Sequence, residues 1–208
     1  MTRRVIQLAV GLWLFGASIA LLVRADLGLP SWDVLHQGVA QVTHIPMGYV
    51  VILASAVVML LWIPLRQRPG IGTLANLLFV GLALEATLLF LPTPTEPVWR
   101  VVFMITAVVL NGVGTGLYIG AGLGPGPRDG LMTGIAARGR SIRVVRLSIE
   151  LVVLALGWLL GGTVGIGTLL YAVAIGPLAH ILIPLFSERA VDPAPESPNT
   201  LSAKDENS

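Results

Sequence analysis

Two stretches of this chain are copies of one another. Ala25–Gln41 laid over Ala121–Ala137 at a constant offset of 96 gives seven identities in 17 positions: Ala25, Leu27, Gly28, Asp33, Leu35, Gly38 and Ala40. Chance in so apolar a composition gives about one or two. The same offset pairs Arg4 with Arg100, Gly16 with Gly112 and Trp62 with Trp158. After one deletion the offset becomes 95, and Gly70-Ile-Gly-Thr-Leu74 falls on Gly165-Ile-Gly-Thr-Leu169, with Gly81 on Gly176. A repeat of this period is the first thing that limits the fold. It divides the chain into a first half, 1–95, a second half, 96–186, and a tail, 187–208.

What the halves are made of follows from their apolar runs. Six stretches, about Val5–Val23, Gly48–Leu65, Ile71–Leu91, Val101–Ile119, Val144–Gly162 and Val164–Phe186, are close to the 20 or so helical residues that cross a bilayer core. The first is read as a retained helix and not a cleaved signal peptide, because the repeat gives it a partner inside the chain. Only 12% of residues are charged, about half the usual share, so there is too little polar surface to coat a water-facing globule. The expected class is an all-α polytopic membrane protein whose first partner is the lipid bilayer. A net charge of +2 is no basic patch, which excludes nucleic acid as a partner, and the absence of Cys excludes disulfides and thiolate chemistry.

With six crossings, Arg3, Arg4, Arg66, Arg68, Arg128, Arg138, Arg140, Arg143, Arg146, Arg189 and Lys204 share one side, and Arg24 and Arg100 the other. That bias places both termini in the cytoplasm. The tail, rich in Pro, Ser and acidic residues, cannot bury enough surface to fold and is expected to be disordered. Each half holds three spans, and three is odd, so the second half enters from the opposite face. The expected architecture is therefore two inverted three-helix repeats, an arrangement typical of secondary transporters with a site near the midplane.

After the first span of each half comes a Gly-rich segment, Arg24–Met47 or Gly120–Arg143, that cannot continue a helix at its start. Short helical runs then begin near Asp33 and Asp129, too short to span, and are read as re-entrant or interfacial. Gly28, Gly124 and Gly126 would let backbone approach a ligand, Arg128 would pair with an anionic group, and Asp33 and Asp129 would ligate a cation or carry a proton. The plainer reading is that a carboxylate in the first turn of a helix is a cap. Gly112, Gly116, Gly120 and Gly124, and a second series Gly126, Gly130 and Gly134, recur every fourth residue, a pattern read first as helix packing, which also admits a homo-oligomer, and second as a thin-walled pathway.

Ionisable residues within spans are costly and so are candidate site residues. Glu85 and His180 are equivalent at the offset of 95, and inverted topology would separate them by roughly 12 Å along the membrane normal. They are read either as a water-linked proton relay or as a snorkelling Glu and a hydrogen-bonded His. Arg146 and Glu150 lie four apart on one helix face, Glu150 pairing inward. Asn76, Asn111, Thr115 and Tyr171 either line a cavity or join helices. No phosphate loop, Gly-x-Ser-x-Gly or metal-ligand spacing occurs, so neither an enzyme nor a cofactor is expected.

Pro30-Ser-Trp-Asp-Val-Leu-His-Gln-Gly38, Gly70-Ile-Gly-Thr73, the block from Gly116 to Gly134 containing Gly-Pro-Gly-Pro-Arg-Asp-Gly, and Glu150 through Gly162 resemble the YczE/YyaS/YitT-type bacterial integral membrane proteins, the YczE branch most closely. The resemblance covers about Arg4 to Phe186. It implies a multi-pass protein of the bacterial cytoplasmic membrane and brings no catalytic residues. The function expected is transport of a small solute or ion between inverted repeats. The alternative is a non-transporting membrane factor that regulates or assembles partner proteins.

Overall fold

The structure, a computed structural model, describes residues 1–187; the tail beyond Ser187, read above as disordered, lies outside the described residues. Their regular structure is helical, joined by short irregular connections. The helices are α1 (Thr2–Ala25), α2 (Ser31–Thr43), α3 (Met47–Leu60), α4 (Trp62–Leu65), α5 (Ile71–Phe90), α6 (Pro97–Gly120), α7 (Pro127–Ala136), α8 (Ile142–Leu159) and α9 (Ile166–Phe186). Five helical stretches are long and apolar enough to cross a membrane: α1, α3 continued by α4, α5, α6 and α9. The sixth apolar stretch of the sequence lies on α8, whose 18 residues include Arg143, Arg146 and Glu150.

Local chemistry sets the breaks. α1 stops at Asp26, which takes a left-handed conformation and returns its N–H to Leu22 O at 3.1 Å. Pro30, Pro46 and Pro127 stand at or just inside the starts of α2, α3 and α7, where a missing N–H costs nothing. Both Gly-Ile-Gly-Thr motifs are helix starts. Thr73 Oγ1 accepts the Gly70 N–H and Thr168 Oγ1 accepts the Gly165 N–H, each at 3.2 Å.

The two long helices α1 and α6 form the centre, with Gly11 and Gly114 set against each other's helix backbones. α5 packs on α1 where Gly16 admits the Val80 carbonyl and Ala83, and α9 packs on α6 along Gly112, Gly116 and Gly120. The glycine series in α6 is therefore a packing ridge for one neighbour. α2 packs against α8, and α7 against α3, α4 and α8, so the short helix of each half leans on a helix of the other. The core gathers Leu12, Ile19, Leu22, Leu29, Val34 and Leu84.

A second exchange ties the halves together. The Gly72 N–H donates to Leu123 O at 2.8 Å, and the Gly167 N–H donates to Leu27 O at 2.8 Å. Leu27 and Leu123 are equivalent in the repeat, so each Gly-Ile-Gly-Thr start docks on the Gly-rich segment of the opposite half. Thr73 Oγ1 adds a hydrogen bond to Pro125 O at 2.8 Å. Gly70 and Gly165 are glycine because any side chain there would run into the Leu123 or Leu27 carbonyl.

Candidate functional site

The starts of α2 and α7 meet. Neither helix has a side-chain cap, and the two first-turn carboxylates, for which capping is the plainer reading of the sequence, reach elsewhere. Asp33 Oδ1 lies 3.1 Å from His36 Nδ1 and 3.4 Å from Arg128 Nη2. Asp129 Oδ2 accepts the Tyr118 hydroxyl at 2.9 Å. Asp33 and His36 are buried, at 2% and 1% exposure, while Arg128 keeps one side open. The Arg128 guanidinium also lies over the Trp32 ring, 5.3 Å from its centroid, a cation–π geometry. His36 Nδ1 is within reach of both Asp33 Oδ1 and Arg128 Nη2, at 3.1 and 3.4 Å, and among the described residues neither His36 Nε2 nor the Trp32 indole N–H has a partner, though both are buried. A buried polar atom without a partner is costly to leave so.

Beside this cluster lies a cavity of about 420 Å³, within the range of small-molecule sites. Both halves line it. Ser31 and Trp32 come from α2, and Gly126, Arg128 and Asp129 from the second Gly-rich segment and α7. Asn76 is from α5, Tyr118 from α6, Arg146 and Glu150 from α8, and Tyr171 from α9. Arg146 Nε donates to Glu150 Oε1 at 2.9 Å, the pairing expected from their spacing. Tyr171 both lines the cavity and donates to Asn111 Oδ1 at 2.8 Å. Asn111 Nδ2 in turn donates to Ser18 Oγ at 2.8 Å, so these groups also join α9, α6 and α1. Asn76 and Thr115 face the cavity.

Of the residues singled out from the sequence, the structure thus brings Asp33, Arg128, Asp129, Gly126, Arg146, Glu150 and Asn76 to one place. Gly28 and Gly124 do not line it. Both have positive φ, 112° and 124°, and serve close backbone approach to Gly165 and to Gly70 and Thr73. Glu85 and His180 stand apart. Glu85 Oε1 accepts the Gly48 N–H at 2.6 Å, satisfying the start of α3, and His180 is exposed on α9. Trp32, Tyr118 and His36 are site residues that sequence reasoning passed over. A signal for one was present: Trp32 is the repeat equivalent of Arg128, a place where the halves differ beside an identical Asp.

Apolar helices of spanning length around a cavity with buried charges make this a membrane protein with several apolar helices. The chain belongs to a family of unknown function, DUF6198, whose model matches residues 2–184. It is 44% identical over 177 residues to an uncharacterized protein of Haemophilus influenzae, covering 85% of this chain and 81% of that protein. It is 33% identical over 172 residues to the uncharacterized membrane protein YczE of Bacillus subtilis, covering 82% and 80%. The uncharacterized protein YyaS of the same organism is 25% identical over 183 residues, covering 85% and 90%. The resemblance read from the Gly-Pro-Gly-Pro-Arg-Asp-Gly block therefore holds. No solved structure matches the chain.

Proposed function

We propose that this protein is a six-span transporter built from two inverted three-helix repeats, moving a small solute or ion by alternating exposure of the cavity at their junction. α8, about 27 Å long at 1.5 Å per residue, supplies the sixth crossing, its charges turned to the cavity and the cytoplasmic end. In this topology Arg24–Met47 and Gly120–Arg143 enter from opposite faces. The contact between Asp33 and Arg128 then requires both segments to be re-entrant and to meet inside the protein, where irregular backbone is tolerated beside a wet cavity. Both termini lie on the cytoplasmic side of the bacterial inner membrane.

The observation that carries this reading is a difference between equivalent helix pairs. In the first half α3 and α5 pack closely at Gly48 and Gly81, and Glu85 bonds the start of α3. In the second half the equivalent helices α8 and α9 stand apart: among the described residues nothing lies within 4 Å of the position a side chain would take at Gly176. Trp62 is 2% exposed and donates to Pro127 O, while its equivalent Trp158 is 67% exposed. Two copies of one motif in two arrangements describe the two ends of a single motion, with one half closed while the other is open. Pro177, following Gly176 inside α9, removes a backbone hydrogen bond where that helix would bend.

The test uses the absence of native Cys. Val144 and Gly176 are the equivalents of Gly48 and Gly81, so Val144→Cys with Gly176→Cys should cross-link only when α8 closes on α9. Solute flux in vesicles should stop on oxidation and return on reduction. A cross-link that forms without changing flux, or no cross-link under any solute gradient, sinks alternating access.

A further inference from the structure

We infer that the junction cavity takes a small organic cation. The inference adds a substrate class to the transporter reading, and its binding test stands whether or not flux is found.

The first ground is charge. The cavity and the cluster behind it hold three carboxylates, Asp33, Asp129 and Glu150, and two guanidiniums, Arg128 and Arg146. Arg128 is engaged by Asp33, and Arg146 by Glu150. Asp129 has as its hydrogen-bond partner the neutral Tyr118 hydroxyl. Arg146 lies within electrostatic reach of Asp129 as well as of Glu150. Three carboxylates against two guanidiniums still leave one negative charge in excess, which is unfavourable at depth, and a positive ligand removes that penalty. An anionic ligand would deepen it.

The second ground is the wall. Phe15, Trp32, Tyr118 and Tyr171 line the same space, and aromatic faces attract ammonium groups once these are desolvated. The third ground is size. A volume of about 420 Å³ far exceeds a bare ion, and among the described residues no three His, Asp or Glu side chains gather as metal ligands. Alkyl substituents on the ammonium would fill the apolar part, where Val51, Val80 and Ile175 also lie. The Asn76 side chain and the Trp32 indole N–H, which has no partner of its own, suit a polar group on such a ligand.

The test compares three compact probes that differ in charge: tetraethylammonium, neopentyl alcohol and pivalate. Each is added at matched ionic strength to the full chain in detergent, and thermal unfolding is followed. Because a ligand that binds the folded state raises its stability by mass action, tetraethylammonium should raise the melting temperature saturably, and pivalate should not. Asp129→Asn should weaken the apparent affinity about tenfold or more, the loss of one charge-assisted contact. His180→Ala, on an exposed face outside the cavity, should retain binding, and a cooperative melting transition for Asp129→Asn without ligand guards against misreading a variant that fails to fold. A response to pivalate, an equal response to neopentyl alcohol, no response to tetraethylammonium, or full binding by folded Asp129→Asn overturns the inference. Tetraethylammonium that binds but is not moved across vesicles leaves the ligand class standing and removes the transporter reading.

Discussion

Arg128 lies over Trp32 with its guanidinium carbon 5.3 Å from the ring centroid, and the two residues occupy the same position in the two copies of the repeat. The copies meet at that position, and the one that carries charge is held by the one that carries the ring. Asp33 completes the contact at 3.4 Å. Three groups from two halves thus form one unit near the cavity.

Removing Arg128 should therefore cost more than a surface ion pair. Arg128→Gln leaves a buried carboxylate without its counter-charge and should destabilise the folded protein in detergent by about 2 kcal/mol or more. Arg128→Lys keeps the charge and loses the planar stack, and should fall between. Adding Asp33→Asn to Arg128→Gln should recover about 1–3 kcal/mol, the coupling of a contacting pair. Additive losses in unfolding titrations would show that the pair contributes nothing.

Much of this was legible beforehand, and the limits have physical causes. The breaks at Pro30, Pro46, Gly70, Pro127 and Gly165 follow from local backbone chemistry, and so the helices stand close to where the apolar runs put them. The pairing of Arg146 with Glu150 followed from helical spacing alone. The reciprocal docking of the Gly-Ile-Gly-Thr starts on Leu27 and Leu123 was not legible, because identity between copies does not say which copy touches which. Capping was the natural reading of Asp33 and Asp129 from their place in a first turn, and other partners claimed both carboxylates instead: His36 one turn on in α2 and the distant Arg128 for Asp33, and Tyr118 of α6 for Asp129. Gly81 and Gly176 are equivalent in the repeat, and the differences beside them, Leu82 against Pro177 and the facing Gly48 against Val144, do not by themselves say which pair of helices is packed and which is open.

Glycine is required at Gly28 for two reasons at once. Its φ of 112° is closed to ordinary residues, and a side chain would meet the Gly165 backbone and Thr168. Gly122 has φ 65° and open space around it, so alanine there costs about 1–2 kcal/mol of conformational strain alone. Gly122→Ala should yield monodisperse protein on size-exclusion chromatography in detergent, and Gly28→Ala little or none. Equal yields would show that the docking of α9 on the first Gly-rich segment is dispensable.

Glu85 and His180 share a place in the repeat and should differ in consequence. Glu85 satisfies a backbone N–H at the start of α3 at 2.6 Å, and a hydrogen bond to a charged group contributes about 1.5–3 kcal/mol. Glu85→Ala should lower stability by about that amount, and His180→Ala, on an exposed face, by less than about 0.5 kcal/mol. Thermal unfolding of the two variants side by side decides it. A large loss for His180→Ala would place a partner on that face of α9.

Gly176 separates packing from motion. A side chain at Gly81 would strike the Gly48 carbonyl and Ile52, and one at Gly176, which lines the cavity, would enter that space and meet none of the described residues within 4 Å. Gly81→Leu should therefore fail to fold, since the α3–α5 contact has no room to relax. Gly176→Leu should leave the melting temperature within about 0.5 kcal/mol equivalent of the parent. If α9 must close on α8 as α5 closes on α3, the added leucine then obstructs the second arrangement while sparing the first. Solute flux in vesicles should fall at least about tenfold with no loss of folded protein, the response of a closing step opposed by about 1.4 kcal/mol or more. Unimpaired flux in Gly176→Leu would mean that α8 and α9 work as they stand, and the two halves would then be a fixed asymmetric pair.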